Sequence, residues 1–319
     1  MAMPDPSIQD AAVMRTQSNA ARVVVTGASG LVGTALCTLL RTRGHHVDRL
    51  VRRPARPGGG EIRWDPAQGS IDAALLEGAE FVVNLAGEPI AAGRWTPARK
   101  RAILESRTQG TRLLCDTLAR LDRRPQALLS ASAVGYYGDR GEEWVTEEEA
   151  AGAGFLADVC TQWEAATLPA REAGIRVVNL RIGVVLSTAG GALARMLPAF
   201  RFGLGGRLGT GRQYMSWITL DDLVAAIEHL LFASQTSGPV NAVSPNPVTN
   251  AQFTKTLGRI LRRPTFLSMP AFAVRLAFGE MGEAVLLSGV RARPARLLAD
   301  GFSFRDPELD PALWRILRQ

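Results

Sequence analysis

The run "ARVVVTGASGLVGTALCTLL", residues 21–40, constrains the fold more than any other stretch of the chain. Nearly continuous aliphatic positions lead into Thr26-Gly27-Ala28-Ser29-Gly30-Leu31-Val32-Gly33, and an apolar pattern of helical period follows. The glycines fall in the spacing G-x-x-G-x-x-G. The first permits a tight turn off a strand, the second lets backbone approach a pyrophosphate, and the third lets the helix pack against the strand. The helix N-terminus then offers free N–H groups and a partial positive charge to an anion. A glycine pattern alone is weak, but its place after a strand and before a helix makes it specific for a dinucleotide.

The rest of the chain repeats that unit. Strand-like runs occur at 22–26, 46–51, 61–64, 81–85, 127–132 and 176–186, and helical periodicity is clearest at 31–43, 97–121 and 155–173. Strand and helix in alternation predict a parallel sheet covered on both faces. After about residue 187 the alternation fades into a glycine-rich stretch, "FGLGGRLGTGRQ", a short strand-like "YMSWI", a helix from about Leu220 to Phe232 and further helices. The expected organisation is a disordered leader over 1–20, a dinucleotide-binding domain over 21–187 and a substrate-binding region over 188–319, interleaved with the sheet.

Composition excludes several alternatives. The longest apolar stretches are interrupted well short of a bilayer span, so no membrane partner is expected, and the leader lacks the apolar core of a signal peptide. Cys37, Cys115 and Cys160 fit neither a disulfide framework nor metal-ligand spacing, which points to a reducing cytoplasm and no metal. The formal charge of +7 comes from scattered arginines without an aromatic-interleaved basic block, so nucleic acid is not the expected partner either. An anionic cofactor or substrate accounts for some of those arginines better.

The end of the second strand selects the cofactor. An acid about twenty residues after the glycine turn would accept from the ribose 2′-hydroxyl of NAD. Here the strand ends in "RLVRRP", with Arg52 and Arg53 where the acid would stand. The arginine fork suits a 2′-phosphate, so NADP(H) is expected in preference to NAD(H). Asp48, four residues before Arg52, comes too early for the edge along which the cofactor would pass.

The glycine turn, "NLAGEPI", "SASAVGYYG" and "RIGVVL" together resemble the short-chain dehydrogenase/reductase superfamily. More narrowly, "RWDP", "GYYGD", "GTGRQYMSWI" and "GEMGEAVLLSGVRARPARLLADGF" look like its atypical, extended-type branch of NAD-dependent epimerase/dehydratase, or epimerase family, proteins. The resemblance covers about residues 21–315. It implies a Rossmann-type α/β fold, a doubly wound parallel sheet with a smaller, mostly helical C-terminal substrate region, and it leaves room for a homodimer through the long helices. It also implies Gly27, Ser29, Gly30, Leu31 and Val32 at the pyrophosphate, Arg52 at the adenosine phosphate, and Leu85, Ala86 and Gly87 beneath the adenine ribose and nicotinamide side. Arg107 and Val185 are further cofactor-side candidates.

The chain departs from the superfamily in its catalytic pair. A Tyr-x-x-x-Lys motif normally sets both side chains on one helical face, the lysine lowering the tyrosine pKa. Anchoring "GFLADVCTQWEAA" on Glu164 puts Leu156 and Cys160 at those positions, and neither can do the work. Ser132, Tyr136 and Tyr137 are the substitute proton donors, with Ser132 and Tyr137 preferred, and Glu88 could act as base or ribose anchor. Arg207, Arg212, Gln213 and Trp217 are the expected substrate contacts, the arginines suiting a carboxylate or phosphate. Asp221 and Asp222 read as helix caps, and the histidines form no catalytic set.

The expected function is therefore NADP(H)-dependent hydride transfer to a small carbonyl or conjugated substrate through an atypical site. A non-catalytic NADP(H)-binding or sensor protein and, further off, a sugar-nucleotide epimerase stay open at this point.

Overall fold

The consecutive valines of β1 (Arg22–Thr26) face two different cores. Val23 and Val25 pack with Leu36, Leu40 and Leu129 on one face, while Val24 packs with Val82, Leu114 and Leu118 on the other. A strand buried on both faces has no polar side to show, which is why its sequence is continuous rather than alternating.

The computed structural model describes residues 20–56 and 58–318, so the expected leader lies, but for Ala20, outside the described residues. In chain order the central strands are β1, β2 (His46–Val51), β3 (Glu61–Asp65), β4 (Ser70–Ile71), β5 (Phe81–Asn84), β6 (Ala127–Ala133), β7 (Arg176–Ile182) and β8 (Gly238–Ala242). They form one sheet in the order β8-β7-β6-β5-β1-β2-β3-β4, parallel throughout except for the β3–β4 pair at one edge. The order reverses between β1 and β5, and ligands bind such sheets outside the carboxyl ends at that switch point.

The longer helices among the described residues are α1 (Leu31–Thr42), α2 (Pro97–Ala119), α3 (Phe155–Ala165), α4 (Gly191–Arg201), α5 (Leu220–Phe232), α6 (Asn250–Leu261), α7 (Ala271–Phe278) and α8 (Leu309–Arg318). Helices α1 and α5 contribute Leu36, Leu40, Ile227 and Leu230 to one sheet face, and α2 contributes Leu114 and Leu118 to the other. A separate core, including Leu193, Leu197, Phe200, Phe253, Leu257, Leu313 and Ile316, holds α4, α6 and α8 together. Strand β8, far along the chain, completes the sheet edge beside β7.

Two expected elements are divided. The helix expected over 155–173 ends at Ala165 and restarts as a short segment, Leu168–Glu172, because Pro169 has no N–H to continue the first ladder. The strand expected over 176–186 breaks at Gly183, where an added Cβ would lie 2.5 Å from the Ser216 carbonyl oxygen. Residues Val184–Leu186 then pair with Trp217–Thr219, turning the chain out of the sheet toward the C-terminal lobe.

Candidate dinucleotide and active site

The glycine turn leaves β1 with almost no free space around it. Gly27 has φ +64, and an added Cβ there would lie 2.6 Å from the Leu85 carbonyl oxygen; at Gly33 it would lie 2.3 Å from the carbonyl oxygen of Gly27. Helix α1 thus begins in contact with the strand-end loops. Gly30 caps it with no side-chain hydrogen bond, and Ser29 and Gly30 are exposed. Bare backbone at a helix N-terminus is the cradle a pyrophosphate requires, so the residues present fit a dinucleotide.

A buried polar network fixes the facing loop. The Thr26 hydroxyl donates to Asn84 Oδ1 at 2.7 Å and accepts from the N–H groups of Leu85 and Ala86 at 3.0 and 3.1 Å. Asn84 Nδ2 donates to the hydroxyls of Thr111 and Ser130, and Trp163 Nε1 also donates to Thr111. β1, β5, β6, α2 and α3 are thereby tied together beneath Leu85 and Ala86. Sequence reasoning passed over Thr26, Asn84, Thr111 and Ser130; the polar residues inside otherwise aliphatic strand ends were the available signal.

Gly87 follows at the exposed end of this loop, and an added Cβ there would lie 3.2 Å from Arg107 Cζ. Arg107 donates to the carbonyls of Ile103 and Glu88 and lies over the Trp163 ring, 5.0 Å from its centroid. Burial lowers its pKa below the ordinary arginine value. Glu88 faces Arg99 at 3.4 Å, and its backbone N–H donates to Ser106. On the other side of the turn, Leu31 packs against Gly190 and Gly191, whose added Cβ atoms would lie 3.5 and 3.3 Å from it, and the one at Gly191 would also lie 3.5 Å from the Val185 carbonyl oxygen. Leu31, Leu85, Gly87, Arg107 and Val185 therefore lie in one connected group of loops at the carboxyl end of the sheet.

The two arginines after β2 have different roles. Arg53 is held by Glu61, with N–O distances of 2.8 and 2.5 Å, and Glu61 also receives Arg49 and the Arg56 backbone N–H. Arg52 is exposed and has no ion-pair partner among the described residues. The two arginines expected together at the phosphate are thus in different states: Glu61 engages Nη1 and Nη2 of Arg53, and Arg52 is left without a carboxylate partner among the described residues.

Hydrogen bonding from Arg53 first, and then from the Arg56 N–H, brings the Glu61 carboxyl from 4.5 to about 2. A depressed carboxylate pKa contributes stability that is present above the unfolded value and lost as pH falls through the folded one. Glu61→Gln is therefore expected to be less stable than the parent at neutral pH. That gap should close as an acid titration, followed by circular dichroism, moves from about pH 4.5 to about pH 2.

The catalytic expectations change most. Leu156 and Cys160 face the turn after β6, with the Leu156 Cβ 3.3 Å and the Cys160 Sγ 3.9 Å from an added Cβ at Gly135. The positions of the usual pair are therefore apolar, and burial pushes the Cys160 thiol up to about 11. Ser132, buried at the end of β6, donates to Glu164 Oε1 at 2.7 Å. Glu164 in turn receives Arg181 Nε and Nη2 at 2.9 and 3.0 Å, a bidentate pair in the interior. Burial alone would lower the Arg181 pKa, but its bonds to Glu164 outweigh that and hold its proton more tightly than usual.

Tyr137 was expected in a pocket-lining loop and is instead fully buried with Val145, Val243, Val290 and Ala292. Its hydroxyl donates to Asn241 and accepts from Arg181, and burial pushes it up to about 12. That position corrects its role from donor to packing and anchoring residue. Tyr136 is half-buried, its ring 3.4 Å from the Arg181 guanidinium carbon, and its hydroxyl has no hydrogen-bond partner among the described residues.

The substrate set divides as well. Trp217 is fully buried in the C-terminal core and donates to the Asn246 carbonyl, so it is corrected to a core residue. Gln213 spends its amide on the carbonyls of Leu208 and Leu286, bracing the glycine-rich loop. Arg207 and Arg212 remain exposed. The cap role expected of Asp221 and Asp222 falls to Thr219, whose hydroxyl accepts from the Asp222 N–H; the two acids only lie in the first turn of α5, and the Asp222 carboxylate accepts from the N–H groups of Arg305 and Asp306. Among the described residues no group of histidine, cysteine, aspartate and glutamate could hold a metal ion, and no helix is long and apolar enough to cross a membrane.

Strand order, switch point and glycine turn define a Rossmann-type protein of the short-chain dehydrogenase/reductase superfamily. The chain belongs to the NAD dependent epimerase/dehydratase family, which matches residues 23–243, and residues 269–316 match a domain of unknown function (DUF1731). It is 48% identical over 291 residues to the epimerase family protein Mb2239 of Mycobacterium bovis, covering 91% of this chain and 96% of that one. Among solved structures it is similar to the human epimerase family protein SDR39U1 (isoform2), crystallised with NADPH, at a TM-score of 0.85 and 36% identity over 93% of this chain and 99% of that one. A nucleoside-diphosphate sugar epimerase of Corynebacterium glutamicum gives a TM-score of 0.78 at 39% identity, over 97% of this chain and 62% of that one.

Proposed function

We propose that this protein is a cytoplasmic NADP(H)-dependent oxidoreductase that transfers hydride reversibly to and from a small carbonyl or conjugated substrate. The observation that carries the cofactor half is Arg52, exposed at the carboxyl end of β2 and unpaired among the described residues. Arg53, meanwhile, is bound to Glu61. An exposed, unpaired guanidinium at that edge suits a 2′-phosphate. The NADPH in the structure of the human relative supports the same choice, and three buried free thiols suit a reducing compartment.

Bound NADP(H) would supply or accept the hydride. Gly27, Ser29, Gly30, Leu31 and Val32 would hold its pyrophosphate, with Leu85, Ala86, Gly87 and Val185 lining the nicotinamide side. Arg107 braces that side through the Glu88 carbonyl. Tyr136 is the hydroxyl left to carry a proton, and its ring is held in place over the Arg181 guanidinium. Ser132, buried and donating to Glu164, helps to hold the Glu164–Arg181 pair beneath Tyr136. Arg207 and Arg212 would attract an anionic substrate group.

Fluorescence titration tests the cofactor half. NADPH should bind more tightly than NADH, and Arg52→Ala should weaken NADPH by about tenfold or more while leaving NADH unchanged, as expected for loss of one charge-assisted contact. Equal affinity of the parent for both nucleotides would sink the assignment. Turnover in a panel of small carbonyls, reduced by Tyr136→Phe and little affected by Tyr137→Phe in a stably folded protein, tests the reaction half.

A further inference from the structure

The C-terminal lobe contains two long stretches without an acid. No aspartate or glutamate occurs between Glu172 and Asp221, or between Glu228 and Glu280. Those two stretches carry Arg195, Arg201, Arg207, Arg212, Lys255, Arg262 and Arg263, all exposed and none paired with a carboxylate among the described residues. The scattered charge of the whole chain conceals this asymmetry.

The same stretches expose large apolar side chains. Phe202 is 81% exposed, Phe266 79%, Leu276 75% and Phe272 71%, with Leu204, Leu267 and Met269 also open. They come from strips that run side by side. Gly206 bridges Phe266 and Leu208 bridges Met269, the Met269 N–H donates to the Arg207 carbonyl, and α7 continues directly from the second strip. A monomer rarely leaves so much contiguous apolar surface without a partner.

We propose that this face docks on an anionic lipid surface, with Phe202, Phe266 and Phe272 entering the interface and Arg201, Arg262 and Arg263 meeting acidic headgroups. Charge complementarity selects that occupant. A second copy seated on the same face would set these arginines against their own counterparts in an isologous contact. A nucleic acid would use aromatic stacking but has no use for exposed Leu204, Leu267 and Leu276. Aromatic and aliphatic groups flanked by arginines are the composition of a surface-lying membrane contact. The expectation of no membrane partner rested on the lack of a span, which bears on crossing a bilayer and not on lying against one.

The test is co-sedimentation of the full chain with vesicles of phosphatidylcholine alone and of an equimolar mixture with phosphatidylglycerol. Binding is expected to the mixed vesicles only and to fall as salt is raised. Arg262→Gln with Arg263→Gln should weaken it by about tenfold or more, and Phe202→Ser with Phe266→Ser by a similar factor. Thermal melts and NADPH titration of each variant report whether the fold survives, and a variant that fails to fold is replaced by Arg201→Gln with Phe272→Ser. Absence of binding to the mixed vesicles overturns the proposal. So does binding that neither variant weakens, concentration-dependent dimerisation lost in the phenylalanine variant, or retention of single-stranded DNA in place of vesicles.

Discussion

Alanine at Gly33 is expected to destabilise the protein by about 1–3 kcal/mol, the usual cost of forcing a methyl into a closed contact. The same change should weaken NADPH binding by about tenfold or more. The added Cβ would lie 2.3 Å from the Gly27 carbonyl oxygen and 2.8 Å from the Ala28 Cα. Both are backbone atoms, so no side chain can swing aside, and α1 must back away from the turn. A helix displaced in this way no longer aims the N–H groups of its first turn at the pyrophosphate, so stability and affinity should fall together. Calorimetry and fluorescence titration on one preparation check both. Gly69→Ala is the control away from the site: its φ of +64 is left-handed, unlike that of the helical Gly33, but an added Cβ there meets nothing within 4 Å. That variant should lose some stability to backbone strain and keep its NADPH affinity.

The second large effect lies at the Arg181–Glu164 pair. Glu164→Ala leaves the Arg181 guanidinium in the interior with only Tyr137, the Glu147 carbonyl and the tyrosine rings around it among the described residues. Removing one partner of a buried pair typically costs about 3–5 kcal/mol, so a marked drop in melting temperature is expected. The double variant Arg181→Met with Glu164→Leu should recover much of that loss, because it removes the unpaired charge along with the pair. If the double variant proves no more stable than Glu164→Ala, the cost lies in packing or in the Ser132 contact instead of the stranded charge.

Much of the fold was legible in the chain. Continuous aliphatic strands, helices of clear period and the glycine turn were enough for a parallel, doubly covered sheet, and helix Leu220–Phe232 has the bounds its pattern indicates. The breaks at Gly183 and before Leu168 were harder to see. One depends on the approach of a distant backbone at Ser216, and the other on Pro169 inside a segment whose apolar period runs on unbroken.

The candidate site divides in the same way. Arg52 and Arg53 are equivalent in sequence, and only the carboxylate of Glu61 on the neighbouring strand separates them. Tyr136 and Tyr137 are adjacent and identical in type. A short turn, Val134–Tyr137, sends one ring into the core and leaves the other over Arg181. Trp217 sat beside plausible substrate arginines, but its strand pairs with Val184–Leu186 and drives the ring inward.

The sequence by itself determined the dinucleotide turn, the strand-helix alternation, the family and the loss of the Tyr-x-x-x-Lys pair, because each is a local pattern of residue type and spacing. Tertiary structure alone decided which arginine stays available, which tyrosine keeps an unused hydroxyl and where the basic and apolar surfaces meet. Those outcomes depend on partners brought together from distant parts of the chain, and burial and hydrogen bonding assign different roles to identical side chains.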